Sequence, residues 1–249
     1  MIVTKDQREI ELMREAGRIV ALVHSHLKEF IKPGITTMEI NKFCEKIIRD
    51  AGATPSFLNL YGFPGAVCTS INEVVCHGIP SDDEVLKSGD IVNVDVTTIV
   101  NGYYADASRM FMIGEVDEEK QKLVRVAKEC LDLGLAEAKP WGYIGDIGAA
   151  ISEHAAKNGY TVVQNIGGHG VGVEFHEEPY VSHVGVRGTD CLIVPGMIFT
   201  IEPMINMGVA EIEEHESDGW TIYTADRKPS AQWEYTILIT EDGAEILAY

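Results

Sequence analysis

The chain of 249 residues is 45% hydrophobic with 24 glycines, the make-up of a folded protein with a sizeable core and not of a disordered segment. It carries 39 Asp and Glu against 20 Lys and Arg, a formal net charge of −19, which repels phosphate backbones and argues against direct nucleic acid binding. Five cysteines, at 44, 68, 76, 130 and 191, are odd in number and widely spread, which fits the reduced thiols of a cytoplasmic protein; the first residues, charged from Lys5 onward, show no apolar core of signal-peptide length, and no apolar run reaches the roughly 18 residues that a membrane span needs.

Ile10, Met13, Ala16, Val20, Val23 and Leu27 recur at helical spacing, so a first helix is predicted over 5–31, with Thr4 and Gln7 as its capping box. A second runs over about 37–50, opened by Thr36 with Glu39 and closed before Gly52. Turns rich in Pro and Gly lead into a β-branched run at 94–110. Two more helices follow, from Asp117 through about 138 and over about 145–157, and strand-like runs return at 197–206 and 232–240.

The pattern restarts at a fixed interval. KPGITTMEI begins at Lys32 and KPWGYIGDI at Lys139 (139 − 32 = 107), and Gly89 aligns with Gly196 at the same 107. That register sets Asp95 over Glu202 (202 − 95 = 107). The expectation is an α+β fold in one catalytic domain over 1–249, made of two related halves (approximately 4–116 and 117–249). Each half is α-α-β, and the two close over a shared, strongly bent antiparallel sheet.

The run VDVTTIVNGYYADASRM is the informative stretch. Asn101-Gly102 suits a type I′ hairpin, whose two central residues need positive φ. A two-residue loop there sets residue i opposite residue 203 − i, so Asp95 and Asp106 become diagonal neighbours on one face, with Thr97 opposite Asp106. Diagonal neighbours lie roughly 7 Å apart, a distance that two carboxylates can close on metal ions between them. The other reading is a solvated edge face with Arg109 or a lysine nearby.

Further donors follow. His169 lies in the glycine-rich NIGGHGVGVEFHEEP, Glu202 at the end of the extended MIFTIEP, and Glu234 in AQWEYTILIT; buried strand glutamates are rare without a partner. Asp95, Asp106, His169, Glu202 and Glu234 offer four carboxylates and one imidazole, a set that suits Mn, Fe or Co better than tetrahedral zinc. GHGVG fails the dinucleotide fingerprint, and HEEPY fails the zincin helix because Tyr180 replaces the second His and Pro179 would break the helix. His24, His26, His154, His183 and His215 belong to no motif and read as structural, with His154 exposed on its helix.

In order along the chain, SINEVVCHGIP, NVDVT, ADASRMF, GHGVG, FHEEP, TIEPM and SAQWE resemble the type I methionine aminopeptidases of the extension-free bacterial form, over almost the whole length. The resemblance implies the duplicated "pita-bread" fold, a curved antiparallel sheet covered by two pairs of helices. It implies removal of the initiator methionine from nascent proteins with a small second residue, by a hydroxide activated between two divalent ions (Co, Mn or Fe, with Zn or Ni possible). Asp95, Asp106, His169, Glu202 and Glu234 become the metal ligands by this resemblance. Glu202 becomes the proton shuttle, His176 a donor to the substrate carbonyl, and His77 a contact to the scissile amide. A methionine pocket of Phe63, Cys68, Phe175 and Trp220, with Tyr61 beside it, is implied as well. Leu60, Tyr61, Val173, Glu174 and Tyr235 depart from residues common in that family, which touches substrate range rather than chemistry. A monomer that binds nascent chain ends, and neither membrane nor nucleic acid, is expected. The bulky Ile2 is expected to protect the chain's own Met1. X-Pro peptidases share such a fold and ligand set, and a catalytically dead binding protein is the third reading.

Overall fold

The computed structural model describes residues 2–249; the expectation for Met1 lies outside the described residues. The first half opens with helices α1 (Gln7–Phe30) and α2 (Thr37–Asp50). Strands β1 (Thr54–Pro55), β2 (Cys68–Ile71), β3 (Val74–Cys76), β4 (Ile91–Val100) and β5 (Tyr103–Met112) follow. Helices α3 (Glu118–Glu137) and α4 (Ile144–Lys157) then precede β6 (Thr161–Val162), β7 (Gly168–Gly170), β8 (Glu177–Val181), β9 (Ile198–Ile201) and β10 (Met204–Asn206). The chain ends its regular structure with β11 (Ile212–Glu214), β12 (Ile222–Thr224), β13 (Ser230–Gln232), β14 (Tyr235–Ile239) and β15 (Ala244–Ala248).

The cap of α1 differs from the expected one. Asp6, not Thr4, is the N-cap; its carboxylate accepts from the N–H groups of Arg8 and Glu9, and Glu9 reaches back to the Asp6 N–H. Thr4 is drawn away from the helix, packing beside Gly196 while the Lys5 N–H bonds to the Gly196 carbonyl at 3.0 Å. A tertiary contact therefore decides between two local caps of similar strength. The cap of α2 is the Thr36–Glu39 box that the sequence indicates.

The interval of 107 recurs in the backbone. α2 and α4 shift by it at both ends (144 − 37 and 157 − 50), and β1 and β6 likewise (161 − 54 and 162 − 55). Isolated bridges join Thr36 to Val85 and Tyr143 to Leu192, again 107 apart on each side. Positive φ falls at Gly34 (95°) and at its equivalent Trp141 (69°), and at both Gly89 (98°) and Gly196 (89°).

All strand pairing is antiparallel. β4 is flanked by β1 and β2 on one edge and β5 on the other; a five-stranded sheet runs β15-β14-β9-β7-β8, and two three-stranded sheets run β13-β10-β6 and β11-β12-β3. The expected single sheet is thus a curved surface in pieces. It breaks at Glu202-Pro203, between β9 and β10, where proline has no N–H to pair, and at Trp233-Glu234, between β13 and β14. Two apolar clusters lie beneath the helices, one packing α1 and α2 on β4 and β5, the other packing α3 and α4 on β9, β10 and β14.

The β4–β5 hairpin keeps the register read from Asn101-Gly102: Asp95 opposes Ser108 and Thr97 opposes Asp106, with φ of 50° and 86° in the turn. Neither face is solvated. Val94, Val96, Ala105 and Ala107 pack toward the helices, and Asp95 and Asp106 are 9% and 3% exposed on the opposite face. Arg109 points the other way and lies over the Tyr249 ring, 4.9 Å from its centroid, so the solvated-edge reading is excluded.

α1 is fastened to the last strand at Gly17, where an added Cβ would stand 1.9 Å from the Leu247 carbonyl oxygen. Gly17→Ala is expected to push β15 off the helix and cost about 1–3 kcal/mol, read as a lower denaturant midpoint.

Candidate metal centre

The two largest sheets meet where their acids are. The Glu234 N–H donates to Ser108 O at 3.1 Å, the Asp106 N–H to Thr236 Oγ1 at 3.2 Å, and Asn93 Nδ2 to Gln232 O at 2.8 Å. These bonds join β4 and β5 to the break between β13 and β14; Asp95, Asp106, His169 and Glu202 line one cavity, and the buried Glu234 lies against Asp106 and His169 behind it. One donor atom each of Asp106, His169 and Glu234 lies within 4.8 Å of the others. His169 Nε2 stands 4.0 Å from Asp106 Oδ2 and 3.7 Å from Glu202 Oε1.

Local sequence explains each placement. His169 sits on β7, wedged between β8 and β9; a Cβ on Gly168 would lie 2.3 Å from Thr200 O, and one on Gly170 2.2 Å from Glu178 O. Its Nδ1 donates to the Gly170 carbonyl at 2.9 Å, which leaves the Nε2 lone pair facing the carboxylates. Thr97 Oγ1 donates to Asp106 Oδ1 at 2.6 Å, Thr200 Oγ1 to Glu202 Oε1 at 2.8 Å, and Gln232 Nε2 to Glu202 Oε2 at 3.2 Å. Pro203 holds Glu202 extended beyond the end of β9.

The electrostatics are unbalanced. Among the described residues no lysine or arginine pairs with any of the four carboxylates, and the buried Asp95 Oδ1 and Glu234 Oε1 have no hydrogen-bond partner. Burial first, then the neighbouring carboxylates, pushes Asp95 and Glu234 well above the ordinary carboxylate range. Burial raises Asp106 to about 7 and, with the charge of Asp106, Glu202 to about 8. Burial also lowers His169 to about 3, so its imidazole is neutral. Orphaned buried oxygens, clustered acids and a neutral imidazole with its lone pair turned inward are the donor set that a divalent cation satisfies.

Two further histidines bound this cavity, whose volume is about 510 Å³. His77 and His176 line it on one side and an apolar slot of about 50 Å³ on the other. Phe63, Cys68, Phe175, Trp220 and Tyr61 all line the slot. Tyr61 is 79% exposed at its mouth with a φ of 47°. Phe57 and Leu60 line it too; Leu60 is one of the positions expected to touch substrate range, whereas Phe57, an aromatic in an aperiodic loop, carries no sequence signal of its own. Phe57 packs edge-on to Phe175 at 5.5 Å between centroids. Burial lowers His77 to about 4 and lowers His176, so both are neutral donors near pH 7.

Two of the histidines read as structural need correcting. His154 is half-buried, with Nε2 2.7 Å from Glu129 Oε2. His183 is buried and touches the centre, its Nε2 accepting the Glu202 N–H at 3.1 Å. No motif marks it, since the contact joins backbone to ring across a strand break.

The sequence profile of metallopeptidase family M24 matches residues 11–241. The chain belongs to that family. Among curated relatives, methionine aminopeptidase A of a Synechocystis strain is 52% identical over 241 residues, covering 97% of this chain and 95% of the relative. The methionine aminopeptidase of Escherichia coli is 46% identical over 244 residues, covering 98% and 92%. The crystal structure of methionine aminopeptidase from Rickettsia prowazekii superposes with a TM-score of 0.98 at 42% identity over the whole of both chains. Within the family the chain falls with the bacterial type I methionine aminopeptidases, and it has the pita-bread fold. A prolidase from Pyrococcus furiosus, at 24% identity and a TM-score of 0.79, shares that fold over 99% of this chain but 65% of its own.

Metal removal should be visible in stability. Asp106 and Glu202 have folded pKa values of about 7 and about 8 against ordinary values of 3.8 and 4.5, so the folded state favours their protonated forms. That contribution is complete below about pH 4 and is lost as pH rises through 7 and 8. The chelator-treated protein is therefore expected to melt at progressively lower temperature from pH 5 to 8, and Asp106→Asn to raise its Tm at pH 8. Saturating Mn should flatten the dependence for the parent protein.

Proposed function

We propose that this protein is a metal-dependent methionyl aminopeptidase that removes the initiator methionine from nascent proteins whose second residue is small. The observation that carries the reading is the adjacency of a cation-poor nest of four buried carboxylates and one imidazole to a narrow apolar slot, with two neutral histidines at their common border. Asp95, Asp106, His169, Glu202 and Glu234 would hold two divalent ions, of Co, Mn or Fe with Zn or Ni as further candidates; when bound, such ions lower the pKa of a shared water to roughly 7.

The chain's own groups do the rest. Phe63, Cys68, Phe175 and Trp220, with Tyr61 at the entrance, receive the flexible thioether and exclude water from it. That fixes the first peptide carbonyl between the acids and the histidines. Glu202, steadied on one oxygen by Thr200 and on the other by Gln232, takes the proton of the attacking water and returns it to the departing amine. His176 donates to the carbonyl oxygen as negative charge develops there, and being neutral it places no competing charge beside the acids. His77 holds the scissile amide. Leu60, Tyr61, Val173, Glu174 and Tyr235 are the positions at which substrate range is tuned.

The single catalytic domain is read as two related halves, approximately 4–116 and 117–249. A monomer acting in the cytoplasm fits the acidic surface, and that acidity disfavours nucleic acid. No helix among the described residues is long and apolar enough to cross a membrane.

Released methionine from Met-Ala-Ser and Met-Gly-Met-Met peptides, after reconstitution with Mn, Fe or Co, is the measurement. Turnover of both peptides and none of X-Pro peptides is expected, and cleavage confined to bonds before proline would overturn the reading. Asp106→Ala and Glu202→Ala should leave no measurable turnover. His176→Ala should lower kcat by about 10²–10³ while metal content stays unchanged.

A further inference from the structure

Lys5 lies in the extended segment ahead of α1, remote in sequence from every cavity residue, yet its side chain is 2% exposed. Its Nζ donates to Glu177 Oε2 at 2.5 Å, and the Glu177 side chain is 16% exposed. The other Glu177 oxygen accepts from the backbone N–H groups of Val173 at 2.8 Å and Glu174 at 3.1 Å. The lysine stem lies flat on Gly172, where a Cβ would come within 2.2 Å of Lys5 Cε and 2.9 Å of Glu177 Oε1. The backbone of Lys5 is anchored as well, through its bond to the Gly196 carbonyl.

These contacts converge on the loop 171–176, which forms no helix or strand and which carries Phe175 of the apolar slot and His176 of the cavity. Glu177 is the next residue and also lines the larger cavity. Burial acts to raise its carboxyl, but the bonds from Lys5 and the Glu174 N–H outweigh this and hold it below the ordinary range. An ionised carboxylate in that position needs its cation. Without Lys5 the carboxylate keeps only its two backbone donors and loses its counter-cation, which loosens the hub on which those N–H groups of the loop hang.

We propose that Lys5 is a positioning residue for the reaction: through Glu177 it sets the loop that presents Phe175 and His176, so that the segment before the first helix controls the geometry of the cavity. The kinetic part of this inference rests on the aminopeptidase reading; the structural part does not.

The test uses the full chain with Lys5→Met, which keeps the apolar stem, and Lys5→Met/Glu177→Gln, which removes both charges. Metal content, Tm, kcat and KM for Met-Ala-Ser, and the imidazole ¹H–¹⁵N signals of His176 are recorded for each. Lys5→Met is expected to lower kcat/KM at least tenfold and to shift or broaden the His176 signals with metal content unchanged. The double variant is expected to regain Tm but not kcat, and Lys5→Met is expected to have little further effect on kcat in a His176→Ala background. The proposal is overturned if Lys5→Met turns over like the parent. It also falls if the double variant regains kcat together with Tm, or if the His176 signals stay in place while only Tm falls. Should the parent release methionine from no peptide, the aminopeptidase reading falls, and the His176 spectrum alone decides the coupling.

Discussion

Four carboxylates held together away from water constrain everything around them. Without a cation each holds a proton more readily than an ordinary carboxyl, because desolvation of a lone carboxylate costs several kcal/mol even after relaxation. The surrounding structure keeps the side chains from swinging out to water. Asp95 and Asp106 are locked by a hairpin of two ten-residue strands whose turn permits one register, Glu202 is braced by Thr200 and Gln232, and Glu234 is fixed by a backbone bond to Ser108. The fold thus stores a repulsion that a divalent ion relieves, and a rigid scaffold is the condition for storing it.

The same rigidity accounts for the site's two-sided character. Strand pairing sets Cys68 directly opposite Asp95, so the wall of the apolar slot and the acid nest share one pair of strands. His77 and His176 stand at the seam, and burial keeps both neutral. A protonated imidazole there would pair with the nearest carboxylate and occupy the place that a cation needs. Neutral rings can donate one hydrogen bond without competing, which lets a polar reaction centre and an apolar side-chain pocket coexist within one small volume.

Much of this was legible beforehand because it is governed by local rules. Asn101-Gly102 dictated the hairpin register, and hence the facing of Asp95 and Asp106; the helical stripes and the Thr36–Glu39 box placed the helices; and the interval of 107 linked Asp95 to Glu202. Where distant contacts decide, the sequence was silent or misleading. Thr4 looks as good a cap as Asp6 until Gly196 claims it. The strands continue through Glu202 and Glu234 in any periodicity count, and only the meeting of two sheets explains why each breaks beside its acid. His183 and Phe57 act through neighbours far along the chain, and no spacing rule reveals such partners.

The seam between α1 and β15 bears on biosynthesis. Gly17 lies under Leu247, and the buried His24 ring reaches the Tyr249 carbonyl, so one edge of the opening helix finds its cover 247 − 17 = 230 residues later. At ribosomal rates of about 5–20 residues per second, that edge waits roughly 10–50 seconds for its partner. During translation α1 must be shielded by α2 and the first hairpin, or by a chaperone, and the molecule locks only when its final strand emerges.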